Sequence, residues 1–186
     1  NESFMNTVFM AIVIGIIFFL TGIIFSGNIA TLLGANKQVY HMTSIYLKVL
    51  LMFGPAFVLN NVMNAFVRND GNPKLSMIAM LVGSFGNIIL DYLLVIKFSM
   101  GMFGAVLATG FSPIMGLMVL SGHIVSENSN IKFKVAKIRA SFIKSIIMLG
   151  IPSFVAEMSS GIVIFVFNII ILGLQGNVGV AAYGVI

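Results

Sequence analysis

From Ser3 to Asn36 the chain runs without a single charged residue. A helix needs about 20 apolar residues to cross the hydrocarbon of a bilayer, so this run alone is long enough to span. The first span is expected at about Phe4–Phe25 within it, and four more apolar stretches are long enough to cross: Thr43–Val67, Leu75–Ile96, Gly101–Gly122 and Ser145–Leu172. A sixth span is expected to begin near Ala181, close to the last residue. None shows the period-2 alternation of a strand. In lipid a helix satisfies its own backbone hydrogen bonds. The expected fold class is therefore all-α, a polytopic transmembrane helix bundle, and the lipid bilayer is its first partner. The composition agrees: 59% of residues are hydrophobic and 8% charged, against about 25% charged in soluble domains.

The loops assign an orientation. Arg68 and Lys74 follow the second span, and Lys132, Lys134, Lys137, Arg139 and Lys144 follow the fourth. These two loops share one side of the membrane. The other side holds Lys37 and Lys97, with Lys48 just inside the second span. Seven cations against three place the first group in the cytoplasm. The net charge of +5 thus reflects topology, and no nucleic-acid partner is expected. Asp70, Gly71, Asn72 and Pro73 supply turn chemistry between antiparallel helices. Within 123–144, Ile131, Val135, Ile138 and Phe142 recur at helical spacing among the cations. That pattern fits a basic amphipathic helix on the inner membrane surface, and equally a solvated linker.

Pro55, Pro113 and Pro152 fall inside spans, where each is expected to kink its helix. Gly104, Ala108, Ser112 and Gly116 stand four apart on the fourth span and form a narrow face for close helix approach. The 13 Met and 17 Phe are expected mainly to pack or face lipid.

Two acidic residues lie inside spans, Asp91 and Glu157. A carboxylate at mid-helix costs up to about 3 kcal/mol on insertion scales, and such groups mark cavities, ion paths or partners. Counted from Lys144, Glu157 is about 20 Å along its helix, near mid-membrane; counted from Lys74, Asp91 is about 25 Å along and nearer the outer face. For Asp91 the plain alternative is an ion pair with Lys97. For Glu157 it is a structural acid hydrogen-bonded within the bundle. Asn60 and Asn64 share one face of the second span, and Asn87 and Asp91 share one face of the third. These faces either line one polar cavity or make ordinary interhelical hydrogen bonds. The chain has no Cys, no HExxH motif and no nucleophile elbow. His41 and His123 are expected at membrane edges, not in a metal or catalytic cluster. Transport, not catalysis, is the function class this leaves. The chain begins at Asn1 without a recognisable signal peptide and ends in an apolar run, so it is expected to be part of a longer protein.

The block from Gly54 to Thr109 holds a Pro in one span, the turn R-x-D-G-x-P-K, then N-I-x-L-D, then G-M-x-G-A-x-x-A-T. It resembles the multidrug and toxic compound extrusion (MATE) family. The later "GIPSFVAEMSSGIVIFVFN" and "GNVGVAAYGVI" resemble the start of that family's second lobe. The resemblance implies a fragment of a twelve-helix, two-lobe transporter. Residues 1–123 would belong to the first lobe, 124–144 to the cytoplasmic inter-lobe loop, and 145–186 to the second lobe. It implies a secondary antiporter in the bacterial inner or plasma membrane, monomeric when full length. Such a protein exports drugs or organic cations in exchange for Na+ or H+ by alternating access, with no cofactor. A lipid-linked oligosaccharide flippase of the same superfamily, or an inactive truncated fragment, is the competing implication. Glu157 and Asp91 become the candidates for cation coupling or substrate binding. Asn60, Asn64 and Asn87 become candidate cavity-lining residues, and Arg68, Gly71, Pro55 and Pro152 structural-motif residues. One departure stands out: many members place the carboxylate about eight residues after the Pro, whereas Glu157 follows Pro152 by five. Arg68 is expected to lock the cytoplasmic turn to neighbouring loops.

Overall fold

A computed structural model describes residues 2–126, 129–131 and 140–184. The described residues fall into two compact units, 1–143 and 144–186. Helix α1 covers Glu2–Leu32, α2 Tyr40–Met52, α3 Gly54–Asn69, α4 Pro73–Asp91, α5 Gly101–Val125 and α6 Ala140–Tyr183. A π-helical turn, Tyr92–Lys97, continues α4. Among the described residues four helices are long and apolar enough to cross a membrane, and five spans result if the bent pair α2–α3 is taken as one. The chain is a multi-pass helical membrane protein.

Helices α2 and α3 together are the expected second span, bent by 46°. The bend falls where Gly54 and Pro55 follow each other. Pro55 has no N–H to give the preceding turn, and it sits instead in the first turn of α3. Pro113 and Pro152 do not divide their spans into separate helices as Pro55 does. Helices α5 and α6 continue through them as single helices. The break in α6 comes at Gly176, with φ 65°, a conformation that favours glycine. The helical segment after Gly176 begins somewhat before the expected start near Ala181.

The first unit is closed by small residues. On α1, Ala11, Gly15, Gly22, Ser26 and Ala30 form a buried stripe, while Ile16, Ile17, Leu20, Ile24 and Phe25 on other faces are exposed. The stripe lets backbones approach: a Cβ on Gly15 would lie 2.6 Å from Pro55 Cα, and one on Gly22 2.5 Å from Leu51 Cβ. The small face expected on α5 is used in the same way. Gly104 meets the Leu94 backbone, Ser112 Oγ donates to the Gly83 carbonyl at 3.0 Å, and Gly116 meets Asn60. Close packing is what drives association where lipid is as apolar as the side chains.

The main buried cluster lies at the end of the unit where α1 starts, α3 ends, α4 starts and α5 ends. It contains Phe4, Val8, Met63, Val67, Ala79 and Leu120, together with Ile131 from beyond α5. Phe4 meets Phe66 edge-on, centroids 5.0 Å apart. In the expected amphipathic helix, Val135 and Ile138 lie outside the described residues. Ile131 is buried in this cluster, not laid on a membrane surface. Phe142 is part of α6.

Candidate functional site

The candidate polar residues Asn60, Asn64, Asn87 and Asp91 lie on α3 and α4, which pack against each other and against α5. Asn64, one turn from the inner end of α3, accepts a hydrogen bond from Ser76 Oγ of α4. This is the ordinary interhelical bond, and it joins two helices already held by a short turn. Asn60, one turn further along, differs. Its Oδ1 is buried against Gly116, 2.6 Å from where a Cβ would stand, and has no partner among the described residues. Gly116 also faces the Ala79 carbonyl. About two turns along α4 from Ala79, Asn87 leaves its Nδ2 buried and without a partner among the described residues. A buried amide atom left unmatched costs about 1–3 kcal/mol, so native proteins retain few of them.

Asp91 is one turn beyond Asn87 and half-buried, with neither a hydrogen bond nor an ion pair among the described residues. The alternative pairing with Lys97 is absent there, and Lys97 is exposed. The helix widens into its π turn directly after Asp91. Such turns occur often at functional sites, and a wider turn re-aims the side chains beside it. An unmatched acceptor on α3, and an unmatched donor and a carboxylate one turn apart on α4, thus lie on helices that pack together. That set can coordinate a cation or hydrogen-bond a guest; it has no nucleophile–base pair. No group of three or more His, Cys, Asp or Glu suited to a metal occurs among the described residues.

Glu157 lies in the second unit on α6, where its side chain is exposed and without a partner among the described residues. The bonding of a structural acid is thus not seen within this unit.

At the turn after α3, where Arg68 is expected to lock to neighbouring loops, the contact seen among the described residues is made by Asp70, and residues 132–139 of the neighbouring loop lie outside them. Arg68 is exposed and has no partner among the described residues. Asp70, two residues on, accepts from His123 Nε2 at 2.8 Å and from the Asn130 N–H at 3.1 Å. Burial alone would raise the Asp70 carboxyl; the bonds from His123, Asn130 and Ser129 outweigh it and hold the group below its ordinary value. His123, in the last turn of α5, is 6% exposed. No sequence signal paired it with Asp70, since 53 residues separate them. Gly71, at φ 87° with open space around it, makes the turn that presents Asp70. This contact also puts the α3–α4 turn and the end of α5 at one end of the unit, as the charge distribution requires.

The family model MatE matches residues 1–93, half of the chain. The chain is 32% identical over 181 residues to the multidrug export protein MepA of Staphylococcus aureus, covering 96% of this chain and 40% of that protein. Among solved structures it resembles the MATE multidrug transporter DinF-BH, with TM-score 0.90, 24% identity and coverage of 100% of this chain and 42% of that one. It also resembles an inward-facing MATE family transporter of the MOP superfamily, with TM-score 0.88, 24% identity and coverage of 95% and 41%. The chain thus spans about 40% of the length of the curated relatives it matches. The family match over half the chain agrees with the helix order, the bent second span and the turn Arg68–Lys74, and the chain belongs to the MatE family of membrane transporters.

Proposed function

We propose that the protein containing this chain exports drugs or organic cations in exchange for Na+ or H+ by alternating access. The observation that carries the reading is the unmatched polar set in the first unit: Asn60 Oδ1, Asn87 Nδ2 and the Asp91 carboxylate on packed helices. A cation suits the Asn60 oxygen and the Asp91 carboxylate, whereas the Asn87 N–H needs an acceptor on the guest. Family membership and the name of the MepA relative support drugs as the cargo. Asp91 and Glu157 carry the coupling charge in this reading. Asn60 and Asn87 shape the first-lobe site, and Asn64 holds α3 to α4. The bacterial inner membrane is the proposed location, and a monomer the proposed full-length state.

The test is efflux of a fluorescent organic cation from a pump-deficient bacterium expressing the full-length protein, under imposed Na+ and pH gradients. Wild type is expected to pump, with the driving gradient naming the ion. Asp91→Asn and Glu157→Gln are each expected to lose tenfold or more in rate at equal expression. Wild-type rates in both variants would remove the carboxylates from the coupling role. A wild type that moves no cation would remove the drug-export reading.

A further inference from the structure

The turn between α3 and α4 carries a second device, remote from the intramembrane polar set. Asp70 Oδ2 gathers donors from two places far away in sequence. His123 Nε2, in the last turn of α5, lies at 2.8 Å; beyond α5, the Asn130 N–H lies at 3.1 Å and Ser129 Oγ at 3.3 Å. The Ser129 hydroxyl has one proton, and its shorter contact is to the Ile131 carbonyl at 2.9 Å, while it accepts from the Ile131 N–H at 3.1 Å. Ser129 therefore folds its own segment into a tight loop, and the Asn130 N–H is the main bond from that loop to Asp70.

The imidazole is oriented from its other side. Asn72 Oδ1 caps α4 by accepting from the Leu75 N–H at 3.1 Å. That leaves Asn72 Nδ2 facing His123 Nδ1 at 3.4 Å. With Nδ1 accepting, the ring proton sits on Nε2, aimed at Asp70. One capping residue thus sets the tautomer that serves the carboxylate two residues before it. Ile131, 7% exposed, then packs with Phe4, Met63, Val67 and Leu120.

We propose that Asp70 and His123 form a latch that makes residues 129–131 a fixed part of the first lobe. The fixed part of that lobe then reaches past Val125, where α5 ends, to Ile131. An apolar anchor alone would not settle this, because Ser129 and His123 are also buried and need their polar partners. The latch supplies the partner of His123, while Ser129 bonds mainly within its own loop, and the carboxylate is the one group common to the turn, the helix end and the loop.

The reporter is Ile131→Cys in the full-length protein, with any cysteine outside this chain replaced by serine; the chain itself has none. In detergent, maleimide labelling at this site is expected to be slow on the wild-type background. Asp70→Asn and His123→Leu are each expected to speed it at least tenfold. His123→Gln, whose amide donates in place of Nε2–H, is expected to restore a rate within threefold of wild type. Ala30→Cys, at 0% exposure near the far end of α1, reports on the remainder of the fold and is expected to stay slow throughout. An unchanged rate at position 131 when the pair is broken overturns the latch. So does an equal rise at position 30, which would make the pair a general fold determinant, and so does fast labelling with His123→Gln. The readout is independent of transport, so failure of the export reading leaves this test intact.

Discussion

Asn60 and Asn64 stand one turn apart on the same helix, yet only Asn64 has a hydrogen-bond partner, Ser76, for its side-chain oxygen. The difference sets opposite outcomes for substitution. Asn60→Leu removes an unmatched buried acceptor and is expected to raise thermal stability in detergent, by about 1 kcal/mol, while cutting cation efflux at least tenfold. Asn64→Leu strands the Ser76 hydroxyl and is expected to lower stability by about 0.6 kcal/mol, with efflux falling only in step with the amount of folded protein. Equal behaviour of the two variants in both assays would show that the unmatched atom has no bearing on function. Asp70 adds a pH signature. Its carboxyl is held below the ordinary value of 3.8, so in that range the unfolded chain binds more protons than the folded one and stability rises with pH. The contribution is complete above the ordinary value and is lost as pH falls through the lower, folded one. The melting-temperature gap between wild type and Asp70→Asn is therefore expected to hold from pH 7 to about pH 5 and to narrow only below 3.8.

At the scale of elements, the first unit is organised by glycines that admit a neighbouring backbone. Gly15 is the strictest case, because the atom in the way is Pro55 Cα at 2.6 Å, and Pro55 is fixed at the α2–α3 bend. A methyl there must separate α1 from α3, and Gly15→Ala is expected to cost about 1–3 kcal/mol in a melting experiment. Gly122 on α5 has nothing within 4 Å of its would-be Cβ, and Gly122→Ala is expected to stabilise by about 0.5–1 kcal/mol. A harmless Gly15→Ala would mean that the α1–α3 contact is looser than drawn. The three span prolines also divide at this scale. Pro55 follows a glycine and starts a new helix, whereas α5 and α6 continue through Pro113 and Pro152. Residue type alone predicts three kinks; the local chain decides that one becomes a break between helices.

For the whole molecule, the chain supplies one multi-helix unit with an internal polar seam and a separate long helix bearing Glu157. Export by alternating access needs both lobes, so the paired test of Asp91→Asn and Glu157→Gln is a test of the assembled protein. Loss of efflux in both is expected. Loss in only one would place coupling in a single lobe.

The number of spans, their bounds within a turn or two, the placing of the α3–α4 turn and the end of α5 at one end of the unit, and the family itself were all legible in the amino-acid sequence. Hydropathy and charge act through lipid on each segment separately, so they can be summed along the chain without knowing what packs where. The stripe on α5 was legible for the same reason, since helical spacing alone puts small residues on one face. The partners were not. Asn64 with Ser76, Asn60 against Gly116, and above all Asp70 with His123 and the loop at 129–131 depend on how distant helix ends come into register. The resemblance marked Arg68 as the lock because it stands in the turn motif. Tertiary structure adds Asp70, whose carboxylate oxygen meets the His123 ring and the Asn130 N–H from remote parts of the chain.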